Sequence, residues 1–138
     1  MLDKIRKRLA SEEGFTLIEL LVVMIILGIL VAVAVPAYLS FRGTAQDTAA
    51  ESNVRSAVPA AEGYYQTNNN SYTGLTGAIL RTQSPGVGAH VLAGPNAAGD
   101  GYCIQDTENN HTYFYTGGNG GAGSVAQGAC AAGTYTVS

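Results

Sequence analysis

Sixteen consecutive residues, Leu20–Val35, carry no charge and no strongly polar side chain. Counted from Phe15, the apolar stretch reaches 21 residues. At ~1.5 Å per residue a helix of that length rises about 31 Å, which matches a bilayer hydrocarbon core of ~30 Å. One carboxylate, Glu19, stands inside it, a turn beyond Phe15. A charge in hydrocarbon costs roughly 2.5–3.5 kcal/mol even on the lenient insertion scale, so an acid at this depth implies a role and a cationic partner.

Charge is distributed unevenly along the chain. Lys4, Arg6, Lys7 and Arg8 place four of the seven basic residues ahead of the apolar stretch. A basic segment followed by an apolar one fits insertion with the N-terminus in the cytoplasm and the remainder outside. From Phe15 onward three arginines face seven carboxylates, a net of −4 before chain ends are counted. An acidic head offers no electrostatic basis for nucleic-acid binding. The two cysteines, Cys103 and Cys130, both fall in the part expected to be exported, where an even count favours a disulfide. The loop would span 27 positions. Chain entropy values such a crosslink at roughly 3.5 kcal/mol.

Two plainer readings compete for the N-terminal region. A secretory signal also joins a basic start to an apolar core, and Ala32-Val33-Ala34 supplies a small-x-small pattern for cleavage. Against it stand the length of the apolar stretch, the crowding of Glu12, Glu13 and Glu19 at its start, and the waste of Glu19 in a discarded peptide. A simple membrane anchor leaves Glu19 equally unexplained. The mass of the mature N-terminus separates the readings, at Phe15, Val35 or Met1.

The order Gly14-Phe15-Thr16-Leu17-Ile18-Glu19, followed by the apolar run, resembles the class III signal of type IV pilins and related pseudopilins. Gly28 and Pro36 also fall where that family often carries a glycine and a helix-loosening proline. The likeness is strong over about Gly14–Tyr38, weaker to Leu75, and beyond that one of layout. It implies removal of residues 1–14 by a prepilin peptidase between Gly14 and Phe15, and methylation of the new amine on Phe15. Glu19 would then be the fifth mature residue. When helices pack side by side, a neighbour's Phe15 amine would supply the cation that Glu19 lacks. In a low-dielectric bundle that pairing is strongly directional, and an unpaired member is costly. Replacing Glu19 by Ala should leave insertion intact and abolish ordered filaments.

Beyond the membrane-length segment an amphipathic pattern continues. Phe41, Ala45, Ala49, Val54, Ala57, Val58, Ala61, Tyr64 and Tyr65 recur at helical intervals, with polar residues mostly on other faces. One helix over Phe15–Gln66 would rise ~78 Å. Pro36 and Pro59 each remove a backbone donor, and Gly28 and Gly43 loosen the helix, so kinking or melting around Gly28–Pro36 is expected in a packed filament. Asn68-Asn69-Asn70-Ser71 reads as the turn that ends this spine. A short helix is expected over Gly74–Arg81. Strands are expected over Ala89–Leu92, Gly101–Asp106 and Thr112–Thr116, with an edge strand over Thr134–Val137. Thr107–His111 would form the hairpin turn. Gly117–Gly123, with five glycines in seven positions, would be a mobile or tightly turned loop.

No catalytic constellation stands out. His90 and His111 share no metal-ligand spacing with the cysteines and read as loop or strand-end residues. Gly117–Gly121 lacks the lysine and hydroxyl of a phosphate loop. Asp106–Asn110 lacks the glycine and terminal glutamate of a calcium loop. Asn69-Asn70-Ser71 and Asn110-His111-Thr112 match glycosylation sequons by letter only. The element pattern reads as α+β, and the resemblance implies a pilin fold. Residues 1–14 form a cleaved leader, 15–38 a membrane and filament-core helix, 39–66 its amphipathic continuation, and 67–138 a head of three or four antiparallel strands. A disulfide-bounded C-terminal loop completes the head.

The expected function is non-enzymatic, without cofactor, metal or small-molecule substrate. The resemblance implies a filament subunit of a type IV pilus serving adhesion, twitching or DNA uptake. Its partners would be further copies of the chain, the membrane, the prepilin peptidase, a platform protein with an ATPase motor, and minor pilins. The rival readings are a type II secretion pseudopilin and a membrane-anchored binding module that never polymerises. The paired cysteines favour the pilus over the pseudopilin, whose head commonly uses a calcium-bound loop.

Overall fold

The computed structural model describes residues 15–138. The long helix α1 runs Leu17–Thr67. Thr16 caps it, its Oγ1 accepting from the Glu19 backbone N–H at 3.3 Å. A hydroxyl at this position satisfies one of the donors that a helix start leaves open. The helix continues unbroken through Gly28, Pro36 and Pro59. It ends where Asn69 and Asn70 turn left-handed, at φ 53° and 56°. There the Asn70 N–H donates to the Tyr65 carbonyl, and Asn68 Nδ2 donates to the carbonyls of Ser71 and Thr73. Asparagine tolerates this conformation because its short side chain bonds locally.

The chain divides into two compact units, Met1–Phe41 and Arg42–Ser138. Among the described residues of the first, every side chain is exposed, including Phe15, Leu17, Ile18, Met24 and Phe41. It holds the one described helical stretch long and apolar enough to cross a membrane.

The second unit contains the remaining elements. Helix α2 spans Gly77–Gln83, capped by Thr76, which accepts from the Ile79 N–H. It starts later than the expected Gly74–Arg81, because Thr76 supplies the cap and Gly74 takes a left-handed turn at φ 85°. Arg81 in its last turn donates to the carbonyls of Ala89 and Val91. Four strands follow: β1 Leu92–Pro95, β2 Gly101–Glu108, β3 His111–Gly118 and β4 Val125–Gln127. They form one antiparallel sheet in the order β1-β2-β3-β4.

Three expected elements shift. The first strand is Leu92–Pro95 rather than Ala89–Leu92, since the Ala89 and Val91 carbonyls are engaged by Arg81. The hairpin turn is Asn109-Asn110 alone, both left-handed, so β2 and β3 pair out to Glu108↔His111. Two consecutive positive-φ residues make the tight turn whose twist suits a hairpin. The segment expected as the strand Thr134–Val137 forms isolated bridges and flanking bonds instead. Thr136 N–H donates to the Pro95 carbonyl, and Ser138 exchanges bonds with Ala93. The fourth strand is β4, which the sequence gives little sign of, since Val125 is its single large apolar residue.

Register fixes which face of the sheet meets α1. Ile104 lies opposite Tyr115 and Asp106 opposite Tyr113, so these four side chains share one face with Tyr102 and His111. That face packs on Val54, Ala57, Ala60 and Ala61 of α1. The small alanines let the sheet approach closely, while Tyr102, Leu75, Leu80 and Ile104 fill the remaining volume. Gly117 belongs to this packing. It is buried over the Tyr102 ring, and a Cβ there would overlap that ring, so the first glycine of the run is a close-approach site rather than a mobile one.

Candidate functional sites: the N-terminal segment and the helix-sheet contact

At the N-terminus the described residues show the setting of Glu19 but not the position of the expected cut. Gly14 and the rest of the expected leader, residues 1–14, lie outside the described residues. Phe15 precedes α1 and is 77% exposed. Glu19 occupies the third helical position, three residues after the Thr16 cap. This spacing matches a capping box, but among the described residues only the Thr16 half of it forms; a carboxylate in the first turn still interacts favourably with the helix dipole. The acid therefore has a local role that its isolation in the apolar run did not suggest. The Thr16-x-x-Glu19 pattern was the available signal. Among the described residues the Glu19 carboxylate has no side-chain partner. Gly28 and Pro36 both lie within α1.

Three polar contacts tie the sheet to α1 in the second unit. Glu62 accepts from the phenols of Tyr102 at 2.7 Å and Tyr72 at 2.9 Å. Asn53 Nδ2 donates to Asp106 Oδ2 at 2.8 Å. His111 Nδ1 lies 2.7 Å from Asp47 Oδ1. The spacings agree with elementary geometry. Nine helical residues from Asn53 to Glu62 rise about 13.5 Å, and four strand residues from Tyr102 to Asp106 rise about 13.3 Å. Strand β2 thus runs antiparallel to α1 and meets it at matching polar steps. Asp106 is 1% exposed, and its Oδ1 has no partner among the described residues. His111 is a strand-end residue as expected, but no local pattern signals its pairing with Asp47, 64 residues away.

Burial pushes the Tyr102 and Tyr72 phenols well above the ordinary value, and donation to the Glu62 carboxylate pushes them further. Both remain neutral donors across the physiological range. Their rings continue a stack through the head: Tyr65–Tyr72 and Tyr72–Tyr102 centroids are each 4.6 Å apart, and Tyr102–Tyr115 are 6.1 Å apart. Tilted arrangements at these distances add to the area they bury.

On the opposite sheet face Cys103 bonds Cys130, with Cα atoms 6.0 Å apart. The bridge brings a segment without regular structure against β2 and β3. Cys130 N–H donates to Gln105 Oε1, and Gly128 N–H to the Thr112 carbonyl. An open cleft in the head is lined by Arg55, Val58, Tyr115, Gly123 and Val125, and these residues include no nucleophile beside a base. Among the described residues no group of three His, Cys, Asp or Glu side chains is arranged to hold a metal.

Comparison with known proteins places these features. Residues 9–35 match the family described as the prokaryotic N-terminal methylation motif. The chain is 37% identical over 106 residues to the type IV wide pilus major component PilA4 of Thermus thermophilus, covering 76% of this chain and 80% of that protein. It is 43% identical over 62 residues to the type II secretion system core protein G of Pseudomonas aeruginosa, covering 45% and 43%. It is 50% identical over 52 residues to the type IV major pilin protein PilE1 of Neisseria gonorrhoeae, covering 38% and 27%. The two shorter matches span less than half of those proteins. No solved structure matches the chain.

Proposed function

This chain belongs to the type IV pilin family, and from that premise we propose that it is the repeating structural subunit of a pilus filament. The observation that carries the reading is the wholly exposed apolar helix of residues 17–41, whose Glu19 carboxylate has no side-chain partner among the described residues. A surface so apolar cannot remain in water. Before assembly a bilayer covers it, and after assembly the same segments of other subunits do. The head stays outside the cytoplasmic membrane and then faces solvent in the fibre. The family is a structural one, and the chain itself performs no catalysis.

Processing completes the site. Cleavage after Gly14 gives an amine on Phe15, which is then methylated and faces Glu19 of an adjacent subunit. The pairing fixes the axial stagger of subunits, because a displaced neighbour leaves both charges unpaired in an apolar bundle. Gly28 and Pro36 mark where α1 loosens when helices crowd together. The partners are the prepilin peptidase, a platform protein with its motor, minor pilins, and above all further copies of this chain. A place in a secretion pseudopilus is the second reading, favoured by the match to core protein G. The pilus is preferred because a relative matched over 80% of its length is a pilus component.

Glu19→Gln removes the charge that the pairing needs while keeping the size of the side chain. Glutamine keeps an acceptor for the helix start but loses the charge. The variant should insert in the membrane, form its disulfide and fail to build ordered fibres by electron microscopy. Normal fibres from Glu19→Gln overturn the pairing.

A further inference from the structure

The β1–β2 turn and the β3–β4 loop are held together by one carboxylate. Asp100 accepts from Asn96 Nδ2 at 2.7 Å and from Asn119 Nδ2 at 2.8 Å, and its carbonyl accepts from the Asn119 N–H at 2.8 Å. The Asn119 amide, and then that of Asn96, hold the Asp100 carboxyl below its ordinary range. Both ends of this latch precede a glycine, and Asn119-Gly120 is the only Asn-Gly pair in the chain.

The two pairs are protected very differently. Gly101, after Asp100, is buried, and its N–H donates to Asn96 Oδ1 at 3.2 Å. Gly120, after Asn119, is exposed and left-handed at φ 80°, and a Cβ there would touch nothing within 4 Å. Among the described residues its N–H has no acceptor. The Gly120 nitrogen therefore has no hydrogen bond of its own to break and no side chain in its way, and the one bond that must open is the exposed one from Asn119 Nδ2 to Asp100.

The geometry points to Asn119 as a site of spontaneous deamidation that turns the latch into a repelling pair of carboxylates. The Gly120 nitrogen gives its proton to solvent base and bonds to Asn119 Cγ. The bond from Cγ to Nδ2 then breaks, and Nδ2 takes a solvent proton and leaves as ammonia. Water opens the five-membered imide at either carbonyl, giving aspartate or its β-linked isomer at position 119. Water is the only co-reactant, and nothing is oxidised. Asp100 thereby loses its donor from Asn119 and gains a like charge in its place. The isomer also adds a backbone methylene to the turn closed by the Gly121 N–H and the Gly118 carbonyl. The two loops then separate, and the head becomes one charge more acidic with age, however the chain assembles.

The test incubates the full chain in detergent at mildly alkaline pH beside a peptide of residues 115–123. Peptide mapping follows every asparagine, and hydrogen exchange follows the Gly99 and Asn119 amides. Asn119 should convert faster than Asn69, Asn70, Asn109 or Asn110. The converted form should exchange those two amides about tenfold faster or more, the loss expected for a charge-assisted hydrogen bond. Asn119→Asp should reproduce that exchange without incubation, and Asn119→Gln should stay intact. An Asn119 that survives after the peptide is fully converted overturns the proposal. Conversion that leaves both amides as protected as before overturns it as well.

Discussion

Glu62→Leu tests the helix–sheet contact at its most buried point. Leucine removes the acceptor of two phenols, on Tyr102 at 0% and Tyr72 at 3% exposure, while keeping similar bulk and good helix propensity. A buried donor left without a partner costs about 1–3 kcal/mol, so two give about 2–6 kcal/mol. Urea unfolding of the head, followed by tyrosine circular dichroism on the full chain in detergent, reads that loss. The structure adds a second expectation. Replacing both phenols by phenylalanine in the Glu62→Leu background removes the orphaned donors and should recover most of the stability. If Glu62→Leu alone costs under ~1 kcal/mol, or if the triple variant is no better than the single, the contact does not work through those hydrogen bonds.

Alkaline pH acts on the same groups. The folded phenols of Tyr72 and Tyr102 titrate above the ordinary value of about 10, so their contribution is fully present below pH ~10. It falls as pH rises beyond that, because the unfolded phenols ionise first. A pH series of urea midpoints should show this decline, and Tyr102→Phe should flatten it. Replacing Cys103 and Cys130 together by alanine should lower stability by roughly 3.5 kcal/mol from the 27-residue separation, with the fold retained in amide spectra. Loss of under ~1 kcal/mol in that variant contradicts the loop-entropy account.

The sequence revealed most where one strong pattern acted alone. The 16-residue apolar run, the helical spacing from Ala45 to Tyr65 and the pair of cysteines each pointed to what the structure contains. Boundaries set by competing local bonds were harder to read. Strand β1 begins three residues later than its apolar letters suggest, because Arg81 draws off the preceding carbonyls. Strand β4 has almost no apolar signal and pairs with the edge of β3 that β2 leaves free. The polar contacts were hidden for a different reason. Glu62, Asn53 and Asp47 looked like solvent-facing residues of an amphipathic helix, and only the register of β2 and β3 shows that they meet Tyr102, Asp106 and His111. At the N-terminus the exposure of Glu19 became clear, while the proposed cleavage at Gly14 and methylation of Phe15 would be chemistry after synthesis, which no fold records.

The most direct test takes fibres sheared from the surface of cells that make this chain and measures the intact mass of their main component. The account predicts a chain that begins at N-methylated Phe15, carries the Cys103–Cys130 bond and makes up the bulk of the fibre. Fibres lacking this chain, or built from copies that still begin at Met1, contradict it.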